Sequence, residues 1–297
     1  MNNAHLYRKV FTHGNGPEQE VLGIKEEIWA NGKKVFESSG SKIVGEVEVI
    51  AYSKKDGKPL FTRSLFMNDL LVCGAVYFSE KANGMRSAFQ TVPLDLELGV
   101  HTRDQIQITA ETIQKEQICG IMVGNGGTSD VYNTVHKVNR AARSVPGMIP
   151  FRVVSLENDL KGDARARYIL RAVKGNHAYY YGKRFDIDRE INVEFEDGTV
   201  VPLDVDTMQT KKFVKVYSKY RATVDQFDIR EYSKLTYGST MRSLINSIGL
   251  ITGYAGTAED GATEYFNVRG ITTANMENQD LKDSESTIAF IYKVYVV

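Results

Sequence analysis

The chain has 297 residues, of which 42% are apolar and 25% are charged, as in a typical soluble globular protein of one large or two modest domains. Its 37 basic and 37 acidic side chains balance, so the overall charge gives no attraction to nucleic acid or to an anionic membrane. No stretch approaches the roughly 20 uninterrupted apolar residues that a membrane-spanning helix needs.

Residues 1–41 are predicted to form an extended, polar N-terminal arm, because clusters such as HGNG and ANGKK interrupt them. One short amphipathic segment lies at residues 19–30. The arm begins without the apolar core of a signal peptide, so we expect a soluble chain. Residues 42–297 are predicted to form one β-rich domain, and a division near residues 145–150, where PGMIPF breaks any helix, is considered as well.

The start of this domain has β character. KIVGEVEVIAYS alternates as a strand does, KKDGKP predicts a turn, and LFTRSLF predicts the returning strand. LLVCGAVYF is apolar throughout, which predicts a strand that is buried on both faces or covered by a partner. Cys73 in this run and Cys119 are expected to be buried thiols, although a disulfide stays open.

A second strand buried on both faces is predicted over residues 118–123, and it leads into a turn containing Gly124, Gly126 and Gly127. The turn lacks the third glycine of a Rossmann fingerprint and the lysine of a P-loop. We therefore predict a structural turn, where glycine permits positive φ, and no cofactor. The alternative is a nucleotide-dependent enzyme that uses residues 121–130.

The middle of the chain combines one predicted helix with further strands. SLENDLKGDARARYILRAV places Leu160, Ala164, Tyr168 and Ala172 on one helical face. GNHAYYYGKRFD predicts a strand, and INVEFEDGTVVPLDV predicts a hairpin around its Asp-Gly pair.

The last third is again β in character. FVKVYSKYRATV predicts a long strand, and STIAFIYKVYVV predicts a paired terminal strand. The fold class is therefore mainly β (α+β), with a β-sandwich-like core, a few short helices and the N-terminal arm.

No residue pattern predicts catalysis or metal binding. The five histidines share no pattern, and neither a GxSxG serine, nor a CxxC pair, nor an HxxxH pair occurs. The acidic stretch FDIDREINVEFEDG lacks the spacing of an EF-hand, and Glu194 and Glu196 fit the solvated face of a strand. We expect no catalytic residue, no metal ligand and no cofactor.

Aromatic residues predict subunit contacts. The chain has 16 Tyr and 13 Phe against a single Trp, and Tyr and Arg are enriched in protein interfaces. Such mixing of aromatic and basic residues also suits single-stranded nucleic acid, but the zero net charge favours a contact. The predicted interface residues are Tyr179, Tyr180, Tyr181, Arg184, Phe290, Tyr292 and Tyr295.

The order of several blocks resembles a family of tailed-bacteriophage virion structural proteins, over most of the chain from about residue 42. None of these blocks is a catalytic signature, so the specificity of the resemblance lies in their order. The blocks are LFMNDLLVCGAVYF, VGNGGTS, MIPFR, AYYYGKRFD and EYFNVRGITTANMENQDLKDSESTIAFIYKVYV.

The resemblance implies a non-enzymatic structural subunit that assembles in the neck, tail or baseplate of a virion, in the host cytoplasm. The apolar strands are consistent with a symmetric homo-oligomer, because sister copies could cover surface that one copy leaves exposed. Expected partners are the chain itself and other virion proteins, with no membrane and no sequence-specific nucleic acid. A third alternative is a host-surface or glycan-binding module with the tyrosines as stacking platforms.

Overall fold

The computed structural model describes residues 5–12, 20–30, 33–39, 43–66, 69–83, 115–129, 134–203, 213–225, 227–240, 243–257, 263–280 and 286–296. Across these ranges the chain is mostly β-strand with a few short helices, so the predicted mainly-β α+β fold is confirmed. The architecture is β-sandwich-like, as predicted. No helix in these ranges has the length and apolar character to cross a membrane.

A three-stranded antiparallel sheet lies within the predicted N-terminal arm. Its strands are β1 (His5–Thr12), β2 (Glu20–Ala30) and β3 (Lys33–Ser39), with β2 in the centre. The segment that the sequence marks as amphipathic, residues 19–30, therefore corresponds to the central strand of a small sheet.

A six-stranded sheet contains the predicted early strand pair, the predicted hairpin and the last predicted strand. Gly198 adopts a φ of 79° in the hairpin turn, and its N–H donates to the Phe195 carbonyl at 2.9 Å. The last strand is paired on both sides, which confirms its prediction. In spatial order the sheet runs β13 (Val200–Pro202), β12 (Ile187–Phe195), β14 (Phe213–Val224), β18 (Ser286–Val296), β4 (Ile43–Ser53) and β5 (Pro59–Phe66).

A nine-stranded sheet holds most of the remaining chain. Its main path is β10 (Tyr168–Lys174), β11 (His177–Arg184), β7 (Glu116–Gly124), β15 (Leu244–Thr257), β17 (Thr272–Asp280) and β6 (Asp69–Leu70). Three further strands join it at the side: β8 (Met148–Ile149) on β7, β9 (Arg152–Ser155) on β11, and β16 (Thr263–Gly270) on β15.

Contacts divide the chain into two compact units. The first comprises Met1–Glu46, Arg189–Lys219 and Tyr292–Val297, and the second comprises Val47–Asp188 and Tyr220–Ile291. Residues 145–150 lie inside the second unit. The first unit also takes residues from three separate parts of the chain, which no boundary based on composition would predict.

The apolar run LLVCGAVYF forms a helix, and its prediction as a strand is wrong. Helix α1 spans Val72–Asn83 and follows directly on Leu71, whose N–H donates to the Ile271 carbonyl at 3.0 Å. A Cβ on Gly74 would lie only 2.0 Å from that carbonyl oxygen, so glycine allows the helix to touch the neighbouring backbone. A run that is apolar at every position fits either element, and here the close packing of α1 decides.

The predicted helix over residues 155–173 is also wrong for most of its length. Only the five residues of α2 (Gly162–Ala166) are α-helical, and β10 follows. Along β10, residues 168–170 and Ala172 are buried whereas Arg171 and Val173 are exposed. The alternation over residues 170–173 matches the antiparallel pairing of β10 with β11, which overrides the weaker helical pattern.

Both faces of β7 are covered by other elements of the same chain. Ile121, Met122 and Val123 are consecutive and each has 0% of its surface exposed. Burial on both faces, which the sequence predicted, is therefore confirmed for this strand. The expectation that sister copies must shelter it is wrong, because neighbouring elements of the same chain do so.

A buried ion cluster connects four elements of the second unit. Arg269 on β16 donates to both carboxylate oxygens of Glu116 on β7 and to Glu80 on α1, each at 2.7 Å. Thr252 and Tyr254 on β15 donate to Glu116 at 2.7 and 3.2 Å. Burial alone would lower the pKa of Arg269, but the two carboxylates raise it above the ordinary arginine value. The cluster thus holds α1 against the sheet in one position.

We expect Arg269→Met to lower the free energy of unfolding by about 3–5 kcal/mol, because two buried carboxylates lose their cation. Arg171→Met is the matched control, since Arg171 pairs with Asp159 at a half-exposed position and should cost about 1 kcal/mol or less. Urea denaturation of both variants near neutral pH measures the difference. Equal losses would contradict the importance of the cluster.

Candidate binding cleft

A cleft of about 780 Å³ opens in the second unit and is the main candidate site. It lies where β11 ends, where α2 begins and where β14 passes into a loop. Its volume is in the range of pockets that hold a small molecule or a short segment of a partner. The lining residues are Lys54, Asp163, Ala166, Arg167, Lys183, Arg184, Phe185, Asp186, Thr223, Asp225, Phe227 and Thr287.

Gly182 separates the buried tyrosines of β11 from the two cations that line this cleft. Residues 179–181 of β11 are buried tyrosines, whereas Lys183 and Arg184 line the cleft. Between them Gly182 has a φ of 69°, in the left-handed region that glycine adopts without strain. A Cβ there would lie 2.9 Å from the Ile251 side chain. A side chain at this position would therefore be strained and would crowd Ile251.

A buried ion pair forms part of the floor. Lys183 Nζ lies 2.6 Å from Asp228 Oδ2, with side-chain exposures of 13% and 4%. Asp228 also accepts hydrogen bonds from the Tyr168 hydroxyl (3.5 Å) and the Asp225 N–H (3.1 Å). Burial raises the pKa of Asp228, and the charge of Lys183 opposes that rise without cancelling it. The positive charge of Lys183 is therefore balanced by Asp228 within the chain.

The loop after β14 is fastened to the chain at several points. Asp225 Oδ1 accepts the N–H groups of Phe227 (2.7 Å) and Asp228 (3.3 Å). Ile229 has a φ of 70°, which is strained for a β-branched residue, and its N–H donates to the Phe151 carbonyl at 2.7 Å. Helix α3 (Arg230–Tyr237) follows directly. The loop thus presents Phe227, which is 56% exposed, from a fixed backbone.

Three cations at the cleft have no carboxylate partner among the described residues. Lys54 Nζ lies 5.9 Å from the centre of the Phe227 ring. Arg184 donates to the Ala166 carbonyl at 3.3 Å and lies over the Tyr265 ring at 5.5 Å. Arg167 is exposed at the rim. The predicted interface residue Arg184 is therefore placed at a surface that a partner can reach.

The Gly-rich turn that follows β7 has its backbone donors bonded inside the chain. The N–H groups of Asn125 and Gly126 donate to the carbonyls of residues 147 and 146, each at 3.1 Å. The Gly127 N–H donates to Oδ1 of Asn246 at 2.6 Å. A phosphate-binding loop presents such donors to its ligand. This turn instead uses them to hold the facing turn and β15.

The glycines serve close approach, so the predicted reason for them, positive φ, is wrong. Gly124, Gly126 and Gly127 all have φ outside the left-handed region. A Cβ on Gly124 would lie 2.2 Å from the Pro146 carbonyl oxygen, and one on Gly127 would lie 2.2 Å from that of Asn246. Gly126 is tight as well, with the nearest atoms at 3.0 Å.

Asn246 is a structural residue that the sequence analysis missed. It lies buried on β15, and its side-chain amide donates to the Asn125 carbonyl (3.0 Å) and to Thr128 Oγ1 (2.8 Å). The available signal was a polar side chain within the apolar run SLINSIGL. A buried amide in such a run needs partners, and here these are the residues of the Gly-rich turn.

The predicted interface tyrosines of β11 lie in the core, which corrects their assignment. Tyr180 and Tyr181 have no exposed surface and Tyr179 has almost none. The Tyr180 hydroxyl donates to Asp159 and accepts the Leu160 N–H at 3.0 Å. Because the chain itself covers these rings, they have no area left for a neighbouring subunit or for stacking on a sugar.

The terminal aromatic residues need the same correction. Phe290 and Tyr292 on β18 are fully buried within the chain, so neither ring offers a contact surface. Burial raises the pKa of the Tyr292 phenol well above its ordinary value. Tyr295 lies on the same strand, but its side chain is outside the described residues.

The two cysteines are free and buried, as expected. The Cys119 thiol contacts the Ile251 carbonyl at 3.5 Å, and burial raises its pKa above the ordinary thiol value. Across the described ranges no group of His, Cys, Asp and Glu side chains is arranged to hold a metal ion. His13 and His101 lie outside the described residues.

We expect Lys183→Met to cost about 3 kcal/mol near pH 8, because Asp228 then carries a buried charge without a partner. The folded pKa of Asp228, already raised, rises further, so the folded chain holds a proton that the unfolded chain has released. Relative to the natural chain, the cost is therefore absent below the folded pKa of Asp228 in the natural chain, which itself lies above the ordinary 3.8; it grows as pH rises above that value and is complete above the folded pKa of Asp228 in the variant.

Urea denaturation of Lys183→Met and of the natural chain across this pH range measures that cost. The double variant Lys183→Met/Asp228→Asn is the control, and above the folded pKa of Asp228 in the natural chain its difference from the natural chain should not vary with pH. A deficit of Lys183→Met that is the same at every pH would show that Asp228 is not the cause.

We expect Gly127→Ala to destabilise the chain by about 1–3 kcal/mol, since its Cβ would overlap the Asn246 carbonyl. ATP, GTP and NAD at millimolar concentration should leave the Tm of the natural chain unchanged. Gly175→Asn is the control: nothing lies near its Cβ, and asparagine tolerates its φ of 58°. A Tm increase with a nucleotide that Gly127→Ala abolishes would contradict the structural role.

Comparison with known proteins identified no relative of this chain. No family model matches the chain, and neither a curated protein nor a solved structure matches it. No site is therefore carried over from another protein, and the function is argued from the chain's own residues.

Proposed function

We propose that this chain is a non-enzymatic structural subunit of a tailed-phage virion. It assembles as a symmetric oligomer in the neck, tail or baseplate, and its partners are copies of itself and other virion proteins. It is built into the particle in the host cytoplasm.

The observation that carries the proposal is where the blocks of the family resemblance lie. VGNGGTS, MIPFR and AYYYGKRFD are far apart in sequence but meet in the nine-stranded sheet. Val123 pairs with Ile149 between the first two blocks, and the Phe151 N–H donates to the Tyr180 carbonyl at 2.8 Å between the last two. The residues that produce the resemblance are thus largely those that build the core of the fold, as expected of a family that shares a scaffold.

The polar groups of the interior support the same proposal. Arg269 donates to both Glu116 and Glu80, and Asn246 bonds to the Gly-rich turn. These groups hold strands together and are closed to solvent. A nucleotide-dependent enzyme using residues 121–130 is not favoured, because the backbone donors it would need are already bonded within the chain.

Because β7 is covered within its own chain, the proposed oligomer relies on exposed apolar side chains of other elements. On the hairpin of β12 and β13, Ile191 and Leu203 are exposed neighbours, linked by a Leu203 N–H to Ile191 carbonyl hydrogen bond of 2.8 Å. Phe227 is exposed at the cleft. Apolar side chains presented from fixed strands and loops are suitable anchors for subunit contacts.

The proposal predicts that the chain is a stoichiometric component of purified particles of the phage that encodes it. Quantitative mass spectrometry of density-purified virions should find a constant copy number per particle, and gold-labelled antibodies should mark the neck, tail or baseplate. A host cytosolic enzyme measured in the same preparations controls for carry-over. Absence of the chain from particles, or a copy number that follows the host enzyme, would refute the proposal.

A further inference from the structure

The cleft described above carries free charges of both signs. At its rim Lys54, Asp163, Arg167 and Asp186 are exposed. Among the described residues Asp163 and Asp186 have no cation within ion-pairing distance, and Lys54, Arg167 and Arg184 have no carboxylate there. Exposed charges that remain unpaired within 780 Å³ are available to a ligand.

The rest of the cleft adds one carboxylate, because hydrogen bonds from neutral N–H groups leave the charge of Asp225 in place. Lys183 is paired with Asp228, and Asp225 accepts the backbone donors of its own loop. The hydroxyls of Thr223 and Thr287 contribute neutral hydrogen-bonding groups to the lining. The ligand therefore meets free cations and free carboxylates in comparable number.

This charge pattern selects the class of ligand. Phosphates of a nucleic acid would be attracted by Arg167 but repelled by Asp163 and Asp186. A neutral glycan would leave charges of both signs without partners. A peptide segment that carries acidic and basic side chains can pair with both sets, and such complementarity gives an interface its specificity.

We propose that the cleft docks an extended peptide segment of mixed charge, projected by a neighbouring subunit. The acidic side chains of the segment pair with Lys54, Arg167 and Arg184, and its basic side chains pair with Asp163 and Asp186. That the neighbour is a virion protein rests on the proposed function; the charge of the segment does not.

Phe227 supplies the apolar anchor of this contact. Its ring is 56% exposed, while the loop that carries it is fixed by Asp225 and by the Ile229–Phe151 hydrogen bond. Arg152 also donates to the Phe227 carbonyl at 3.1 Å. An aromatic ring on a pre-ordered loop loses little entropy on binding, which is what an interface anchor requires.

The test uses the full chain and an array of overlapping synthetic peptides that cover this chain and every other protein of the particle. Binding of array hits is then measured by fluorescence anisotropy. We expect at least one peptide with both acidic and basic residues to bind. Arg167→Asp and Asp163→Lys should each weaken it by about tenfold or more, and Phe227→Ser should weaken it as well.

Matched controls are Lys174→Asp and Glu157→Lys, which reverse exposed charges away from the cleft and should leave binding unchanged. Reversing the sign of the corresponding peptide residue should restore binding to Arg167→Asp or to Asp163→Lys. An unchanged Tm for each exposed-site variant shows that the fold is intact.

Single-stranded oligo-dT and a neutral oligosaccharide are measured in parallel. Oligo-dT binding that Asp163→Lys strengthens would overturn the proposal in favour of a nucleic-acid site, and oligosaccharide binding lost in Phe227→Ser would overturn it in favour of a glycan site. No bound peptide, or peptides unaffected by the cleft variants, would overturn it too. Because presence in virions is measured separately, failure here leaves the structural-subunit proposal standing.

Discussion

The described core of the second unit depends on a guanidinium with two carboxylates, buried where α1 meets three strands. Arg269 binds Glu116 and Glu80 at 2.7 Å, and Thr252 and Tyr254 satisfy Glu116 further. Burying such a set gains little net stability, because desolvation offsets the attraction. We infer that it adds specificity, because Glu80 on α1 reaches Arg269 in only one position of the helix on the sheet.

The predictions from sequence succeeded where local residue patterns determine the structure. Local signals sufficed for the strand pair around Gly57, for the Asp-Gly hairpin at Gly198 and for β7, where alternation, turn residues and an apolar run state the structure directly. They failed for α1, whose contact with Ile271 is distant in sequence, and no local pattern contains that information. They failed also for β10, because a helical pattern over residues 155–173 obscured a strand that pairs with the neighbouring β11.

Only part of the candidate site could be predicted from the sequence, for a related reason. The sequence drew attention to aromatic and basic residues near residues 179–184, and two of the basic residues do line the cleft. The tyrosines beside them do not, because they are buried in the core. Asp228 and Phe227 come from a loop more than 40 residues later, and only folding brings them to Lys183.

In this chain the aromatic residues mainly build the core, whereas the exposed charges mark the candidate binding site. Tyr180, Tyr181, Phe290 and Tyr292 are fully buried, so the tyrosine-rich composition mainly describes a core. A buried charge that is paired, as in Lys183–Asp228, is already balanced within the fold. An exposed charge in a cleft is not balanced in this way. When its neighbouring charges are held in place, it selects a ligand whose charges are complementary. In the described part of the chain, exposed charges of both signs occur together at the cleft around Arg167.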